Sequence, residues 1–180
     1  MVKIILIMQE IETARLYLRQ FTPEDLDELY RIYSDAEVMK YLRGVKTREE
    51  TQIAIHTMLK CWAENNFGMW AVVHKIDRKM IGRCGLCFLD KTPEVELGYT
   101  LDKVYWNQGL ATEASFASLN YGFEILNLDK IVAIARPENI ASQRVIQKVG
   151  MKYEKNAHYY ETDVLYYSIS RESYQSKVSS

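Results

Sequence analysis

Residues 96–113 read ELGYTLDKVYWNQGLATE, and this stretch decides the fold. It continues a segment over residues 94–101 in which apolar side chains alternate with polar or small ones, the pattern of a strand with two chemically distinct faces. A loop follows, and Gly109 precedes a long helical pattern. A glycine that opens a helix leaves unpaired backbone N–H groups at the positive end of the helix dipole. The stretch therefore predicts a strand, a turn that favours an anion such as phosphate, and a helix.

The segments after this turn predict a β-α-β unit. Residues 109–126 carry two broad apolar stripes, which include Phe116 and Ile125 and indicate a long, covered helix. The uninterrupted apolar run over residues 131–135 indicates a strand that is covered on both faces. Asn139 then caps a short helix.

The remaining segments add strands and helices on both sides of this unit. The sequence predicts a strand over 15–21, helices from Pro23 and from the capping box at residues 47–50, and antiparallel hairpins over 69–89 and 151–169. No linker or internal repeat interrupts the chain, so residues 1–180 are predicted to form a single domain. The order β-α-α-β-β-β-α-β-α-β-β indicates an α/β sandwich around a mixed sheet.

Composition and charge restrict the class of protein. The 180 residues are 48% hydrophobic and 26% charged, with a formal net charge of −1, so no basic field favours nucleic acid or an anionic membrane. The apolar stretch over residues 2–8 is too short for a membrane span and is interpreted as a tail or an edge strand. We expect tails at 1–12 and 171–180, with Met1 or Met8 as the natural start. The three cysteines do not form a disulfide framework, which predicts a cytoplasmic location.

Motifs for other chemistries are absent from the sequence. Neither a Walker phosphate loop nor a Gly-x-Gly-x-x-Gly fingerprint occurs, which argues against nucleotide hydrolysis and nicotinamide chemistry. Cys84 and Cys87 have the spacing of a redox or metal pair, but they lie in a predicted strand without a second pair, so we interpret them as structural. No metal site is predicted, because the three histidines are scattered along the chain: His56, His74 and His158.

Three blocks of sequence carry a resemblance to a known family. The opening block consists of TARL at 13–16, LR at 18–19, TPED at 22–25 and SDAEVMKYL at 34–42. The central block consists of ELGY at 96–99 and YWNQGLATEA at 105–114. The closing block is Asn139-x-x-Ser142-x-x-Val145-x-x-Lys148-x-Gly150-Met151. In this order and spacing, the blocks resemble the GNAT superfamily of N-acetyltransferases, and within it the RimJ/RimL-type branch of ribosomal-protein N-acetyltransferases.

The resemblance implies the acyl-CoA N-acyltransferase fold, an α/β fold in which helices flank a mixed, mostly antiparallel sheet that splays at residues 96–101. It also implies acetyl-CoA as the co-substrate. The pyrophosphate is then expected on the backbone N–H groups of Asn107, Gln108, Gly109, Leu110, Ala111 and Thr112. The pantetheine arm is expected to pair, like an added strand, with the backbone of Leu97, Tyr99 and Leu101. Asn139 and Ser142 are expected beside this arm. Trp106 stands where the family usually has Gln or Arg, so backbone contacts carry the role of the loop.

Glu96 is the predicted general base. Acetyl transfer needs a free amine, whereas an α-amine titrates near ~8 and a lysine near ~10.4, so a base must remove a proton at neutral pH. Family members often carry this base on the strand that holds Glu96. The alternatives are that Glu96 is a solvated or salt-bridged residue, or that Glu94 is the base. Many family members have a tyrosine as general acid where this chain has Ile146. Ile146 is interpreted as a core residue. Ser142 is therefore assigned as the proton donor.

These assignments predict an enzyme that transfers an acetyl group to a primary amine. The branch suggests the α-amine of a peptide or protein, in a groove between the helices over 23–65 and the hairpin around 159–163. A small amine, such as a polyamine or an antibiotic, is the alternative acceptor. A polyamine would require converging acids, and the candidates are Glu94, Glu96, Glu161 and Asp163. A different class of function is a CoA-binding regulatory module that has lost the chemistry. We expect a monomer or a homodimer.

Overall fold

The structure is a computed structural model that describes residues 10–178. The apolar residues 2–8, interpreted above as a tail or an edge strand, lie outside the described residues. Within the described range, eight strands form one sheet in the order β1-β2-β3-β4-β5-β6-β8-β7. The strands are β1 Ile11–Glu12, β2 Leu16–Arg19, β3 Met69–His74, β4 Lys79–Phe88, β5 Val95–Leu101, β6 Lys130–Ala135, β7 Lys152–Tyr159 and β8 Thr162–Ser170. All neighbours are antiparallel except β5 and β6, which confirms the predicted mixed sheet.

The described residues form five α-helices. They are α1 Leu26–Tyr33, α2 Arg48–Asn65, α3 Leu110–Asn120, α4 Ile140–Lys148 and α5 Arg171–Val178. The predicted capping box before α2 is present, because Glu50 N donates to Thr47 Oγ1 at 3.2 Å and Thr47 N donates to Glu50 Oε2 at 2.8 Å. Across residues 10–178, none of the helices combines the length and apolar character of a transmembrane segment.

Helices cover both faces of the sheet. Successive residues of a strand point to opposite faces, and β3 shows this alternation. Trp70 and Val72 pack in the cluster that contains α3, whereas Met69 and Ala71 pack in the cluster formed with α1 and α2. The sheet is therefore the middle layer of the predicted α/β sandwich.

β5 and β6 diverge from each other. β5 pairs with β4 along its whole length, but its other edge pairs with β6 only at Glu96 and Val132. Beyond this bridge, towards Leu101, the described chain supplies no strand partner for the outer edge of β5. The splay predicted for residues 96–101 is confirmed.

The helix after Gly109 differs from the continuous helix predicted over 109–126. α3 ends at Asn120, and Tyr121–Ile125 forms a π-helical turn. The wider turn shifts the phase of the residues that follow, so that Phe123 is buried and Ile125 is 55% exposed. Phe116, also predicted to be covered, lies on the solvent side of α3.

Parts of both predicted tails belong to the fold. Ile11–Glu12 pairs with β2, and Arg171–Val178 forms α5. The ring of Tyr174 on α5 is buried, with its centroid 4.9 Å from that of Phe123. Within the stretches expected as tails at 1–12 and 171–180, the described residues therefore extend the sheet at one end and the core at the other.

Candidate active site

A cavity of about 640 Å³ lies on the face of the sheet that α1 and α2 cover. β4 and β5 form its floor, and its sides come from residues 41–46 and from the β7–β8 hairpin. It continues to the gap between β5 and β6, where Ala135 and Asn139 line it. A volume of this size is typical of small-molecule sites, which occupy roughly 300–1,000 Å³. The cavity joins the predicted acceptor side to the predicted cofactor strand.

Glu96 lies in the floor of this cavity and is only 9% exposed. Burial raises the pKa of its carboxyl to about 7, against the opposing effects of a hydrogen bond from Tyr160 and the positive charges of Arg83 and Arg43. Cys87 on β4 is the cross-strand neighbour of Glu96, and its thiol lies 4.0 Å from Glu96 Oε2. A carboxyl that titrates near neutral pH both accepts and releases protons under physiological conditions.

The surroundings of Glu96 and Glu94 differ. Within residues 10–178, Glu96 belongs to none of the ion pairs, and its side chain is largely buried. Glu94 instead forms an ion pair with Lys130 at 2.9 Å and accepts a hydrogen bond from Tyr166 at 2.6 Å. The polar face of β5, expected to contrast with the apolar one, is buried as well, because α1, α2 and the β7–β8 hairpin cover it.

Tyr160 is a partner of Glu96 and lies in the hairpin around 159–163, which the sequence predicted as one side of the acceptor groove. Its hydroxyl donates to Glu96 Oε2 at 3.0 Å. Asp90 holds the tyrosine in place, since Asp90 N donates to the hydroxyl at 2.8 Å and Tyr160 N donates to Asp90 Oδ2 at 3.1 Å. The guanidinium of Arg43 lies 4.3 Å from the centre of the ring.

The hairpin turn that carries Tyr160 has unusual residues for its conformation. Tyr160 and Glu161 form the two-residue loop between β7 and β8, with φ angles of 52° and 59°. Such a turn favours Asn and Gly, because both central residues need a positive φ. Bulky residues in left-handed conformations are costly and concentrate at functional sites. The bulky residues at this turn are the sequence signal that could have singled out Tyr160.

The acids considered for a polyamine do not converge. Asp163 is exposed and pairs with His158 at 2.8 Å, and Glu161 is exposed at the hairpin tip. Glu94 is occupied by Lys130. Of the four candidates, only Glu96 lines the cavity, because the neighbouring residues of the hairpin turn outward.

The predicted cofactor strand lies at the gap between β5 and β6. Leu97 and Tyr99 line the cavity there. The carbonyl of Leu101 already accepts a hydrogen bond from Trp106 Nε1 at 2.8 Å. Trp106, which replaces the usual Gln or Arg of the family, therefore anchors the loop to the end of β5. The open edge of β5 fits the extended, amide-bearing arm of a CoA molecule.

The predicted pyrophosphate loop turns sharply into α3. Asn107 and Gly109 have positive φ angles of 60° and 77°, and α3 starts at Leu110 without a side-chain cap. The N–H groups of its first turn, which include those of Ala111 and Thr112, have no intrahelical acceptor and lie at the positive end of the dipole. The loop therefore fits an anionic group.

Side chains from the opening block of the resemblance support this loop. Arg15 donates to the carbonyl of Gln108 at 2.8 Å and pairs with Glu113 at 2.7 Å. Thr13 donates to the other carboxylate oxygen of Glu113 at 2.6 Å. Gln108 itself donates to the carbonyl of Val104 at 3.0 Å. The two distant sequence blocks therefore meet and fix the start of α3.

Ser142 lies in the first turn of α4 beside Tyr99. Its backbone N–H donates to the capping Asn139 Oδ1 at 3.1 Å. The phenol of Tyr99 lies 2.8 Å from Ser142 Oγ and donates to the Ser142 carbonyl at 2.9 Å. Burial raises the pKa of Tyr99. Ile146, one turn further on, is 1% exposed and belongs to the core, as predicted.

The cysteines and histidines lie at separate places in the fold. Cys84 is buried near the hydroxyls of Ser115 and Ser118, and burial raises the pKa of its thiol to about 11. His74 contacts Asp77 at the surface hairpin. Among the described residues, no group of three or more His, Cys, Asp or Glu is arranged to hold a metal ion.

A mixed sheet that splays between two parallel strands, with a helix starting beside the gap, is the architecture of the acyl-CoA N-acyltransferases. The chain belongs to the GNAT acetyltransferase family, since the family described as "Acetyltransferase (GNAT) domain" matches residues 15–152. The chain is 34% identical over 145 residues to the uncharacterized N-acetyltransferase YnaD of Bacillus subtilis, covering 80% of this chain and 83% of that protein. The protein is therefore an N-acetyltransferase.

Solved structures show the same fold. A GNAT-family acetyltransferase from Bacillus anthracis superposes with a TM-score of 0.80 at 29% identity, covering 91% of this chain and 99% of the other. A ribosomal-protein-S5-alanine acetyltransferase from Vibrio fischeri superposes with a TM-score of 0.77 at 20% identity, covering 91% and 97%. At that identity the second likeness shows the fold alone, so the RimJ/RimL-type branch stays a prediction.

Proposed function

We propose that this N-acetyltransferase uses acetyl-CoA to acetylate the α-amine of a peptide or protein that enters the cavity beside Glu96. The observation that carries the proposal is the position of Glu96, a buried carboxyl at the point where the cavity meets the open edge of β5. GNAT enzymes generally use acetyl-CoA, which supplies the acetyl group as a thioester. The chain contributes binding, orientation and proton transfer.

The cofactor is held mainly by backbone groups. The uncapped N–H groups at the start of α3 face the pyrophosphate, and the open edge of β5 at Leu97 and Tyr99 pairs with the pantetheine amides. Asn139, which lines the cavity at the gap, flanks this arm. Leu101 contributes less, because its carbonyl already accepts from Trp106. Backbone recognition explains why the loop tolerates Trp106 in place of a polar residue.

Glu96 acts as the general base. With a pKa of about 7, its carboxylate is populated at neutral pH and takes a proton from the ammonium group of the acceptor, directly or through a water molecule. The free amine then attacks the thioester carbonyl. The carbon–sulfur bond then breaks, and Ser142, oriented by Tyr99, donates a proton to the departing thiolate. The nitrogen of the new amide releases its remaining extra proton, which restores the Ser142 hydroxyl through solvent.

The shape and charge of the cavity favour a peptide end over a polyamine. Residues 41–46 and the β7–β8 hairpin flank the cavity as the two walls of a groove. Its cationic lining residues are Arg43, Lys46, Arg83 and Arg136, and its acidic ones are Glu50, Asp90 and Glu96. A polycation needs an excess of acids, which this lining does not offer. A small amine without several positive charges is the second candidate acceptor.

The test combines two acceptor libraries. The purified protein is incubated with acetyl-CoA and either a peptide library or a small-amine library, and products are identified by mass spectrometry while CoA release is recorded. We expect α-acetylated peptides. Acetylation confined to small amines overturns the peptide acceptor, and no CoA release above background supports a regulatory module instead. The cytoplasmic location and the monomeric or homodimeric state stay predictions.

A further inference from the structure

Arg83 lies in the same cavity as Glu96 and has no carboxylate partner. Its Nε is buried without a hydrogen-bond partner in the part of the chain that the structure describes. None of the ion pairs among these residues includes Arg83. Its guanidinium lies 5.9 Å from the ring centroid of Tyr33. A guanidinium stays charged in proteins, and buried charges are normally paired. Tyr33 is a hydrogen-bond partner of this guanidinium, and the charge of Glu96 acts on it without forming an ion pair, so the Nε donor has no anion paired with it.

The register of β4 and β5 brings the guanidinium towards Glu96. Arg83 is opposite Thr100 and Cys87 is opposite Glu96, so all four residues lie on one face of the sheet. Gly98 lies between the two pairs, and a Cβ at this glycine would be 3.9 Å from Arg83 Nη1. The guanidinium therefore extends over Gly98. The Glu96 backbone is about 7 Å further along the strand.

Thr100 gives a second, independent sign of unused hydrogen-bonding capacity. Within residues 10–178 its Oγ1 is buried without a partner, and it is the cross-strand neighbour of Arg83. Buried polar groups in native proteins almost always have partners. Arg83 lines the cavity and Thr100 does not, so the guanidinium is the group positioned to bind a carboxylate there.

We propose that Arg83 binds a carboxylate of the acceptor while the amine of the acceptor lies at Glu96. This inference rests on the proposed acetyl transfer and defines its substrate class, an amine with a carboxylate a few bonds away. In a peptide, the carboxylate is the acidic side chain of one of the first two residues. In a small molecule, it is the carboxylate of an amino acid.

The test compares acceptors that differ only in this carboxylate. The peptide arm pairs sequences that begin Ala-Asp or Ala-Glu with their Asn and Gln counterparts, and the small-molecule arm pairs amino acids with their amides. We expect kcat/KM to be about 10–100-fold higher for the acidic member of the responding arm, as for a charge-assisted hydrogen bond. The arm that responds identifies the source of the carboxylate.

Variants then assign the preference to Arg83. The acid-to-neutral ratio is kcat/KM for the acidic acceptor divided by kcat/KM for its neutral counterpart. Arg83→Met is expected to bring this ratio to about 1. Arg83→Lys keeps the charge but not the planar guanidinium, and should give an intermediate ratio. The matched control is Arg78→Met, because Arg78 is exposed at the turn of the same β3–β4 hairpin and should leave the ratio unchanged. Circular dichroism and acetyl-CoA titration check that the Arg83 variants are folded.

The outcomes separate this inference from the proposed function. Acetylation with an acid-to-neutral ratio near 1, or with a ratio that Arg83→Met leaves intact, overturns the inference but not the acetyl transfer. No acetylation of any acceptor overturns both. If Arg83→Met does not fold, the ratio in the unchanged protein and in Arg83→Lys still decides the matter.

Discussion

The hydroxyl of Tyr160 donates to Glu96 Oε2 at 3.0 Å and so links the tip of the β7–β8 hairpin to the floor of the cavity. Burial of Glu96 and its hydrogen bond with Tyr160 have opposite effects on the ionisation of the carboxyl. Burial of Glu96 disfavours its charged form, whereas the hydrogen bond from Tyr160 favours that form. The hairpin thereby holds the pKa of Glu96 at about 7 rather than higher.

Replacing Tyr160 with Phe should shift the pH dependence of the enzyme. Loss of the hydrogen bond raises the pKa of Glu96 by about one unit, so that kcat/KM at pH 7 falls about fivefold and recovers above pH 8. A pH profile of kcat/KM measures this shift of the acidic limb. Tyr159→Phe is the control, since the Tyr159 ring stacks on Tyr166 rather than contacting Glu96. If the acidic limb of the profile does not move, Tyr160 does not influence the ionisation of Glu96.

Removing the carboxyl itself should abolish that limb. We expect Glu96→Gln to lower kcat about 10²–10⁴-fold, the usual contribution of a general base. Affinity for acetyl-CoA should stay the same, because the proposed cofactor contacts lie on the backbone of β5 and α3. The rate of CoA release measures kcat, and calorimetry measures the affinity for acetyl-CoA. Full activity in this variant would remove Glu96 from the mechanism.

The same residue should make stability depend on pH. The folded pKa of Glu96 is about 7, above the ordinary value of 4.5, so the folded state binds more protons than the unfolded state between these values. Stability from this residue is therefore present below about pH 4.5 and is lost as pH rises to 7, by about 3 kcal/mol. Urea unfolding should show Glu96→Gln gaining stability over the natural protein across this window.

Glu94 supplies a control of opposite sign for this measurement. Burial opposes its ionisation, but the hydrogen bonds from Tyr166 and Lys130 lower its pKa. Its contribution is therefore present at neutral pH and lost on acidification. Glu94→Gln should lose stability relative to the natural protein as pH rises through 4.5. Parallel behaviour of the two variants would contradict the assigned environments.

Sequence periodicity predicted the elements whose burial follows from their own pattern of apolar residues. The apolar run over residues 131–135 predicted a covered strand, and β6 spans Lys130–Ala135. The turn into α3 was predicted because a glycine before a helix has few alternatives. The π-helical turn at Tyr121–Ile125 was not, since an apolar stripe does not distinguish a regular helix from one whose phase shifts. Such a shift depends on the packing of the whole helix.

The electrostatic surroundings of Glu96, the proposed base, could not be predicted from the sequence. The resemblance indicated Glu96, but its partner Tyr160 is 64 residues away and reaches it only through the register of a separate hairpin. The contact of Arg83 with the same cavity depends on the pairing of β4 with β5. Alternation alone suggested a half-solvated polar face. The covering of that face by α1, α2 and the hairpin is a tertiary property.

The proposed anion site can be tested through a single backbone N–H. Ala111 lies in the first turn of α3, so Ala111→Pro removes a donor without breaking an intrahelical hydrogen bond. We expect the Kd for acetyl-CoA to rise about tenfold with little change in Tm. Ala111→Ser keeps the N–H and should bind normally. Gly109→Pro is unsuitable, because φ at this glycine is 77° and proline would move the loop. Equal affinities for the two Ala111 variants would argue against the site.

The paired hydroxyls of Ser142 and Tyr99 test the proton donor. Ser142→Ala should lower kcat about 10–100-fold at saturating acetyl-CoA if this hydroxyl protonates the departing thiolate. Tyr99→Phe leaves the serine but removes the group that orients it at 2.8 Å, so its effect should be smaller. The double variant should be no slower than Ser142→Ala, because both substitutions disable one unit. Additive losses would show that Tyr99 acts separately, and full activity in Ser142→Ala would leave the proton to come from solvent.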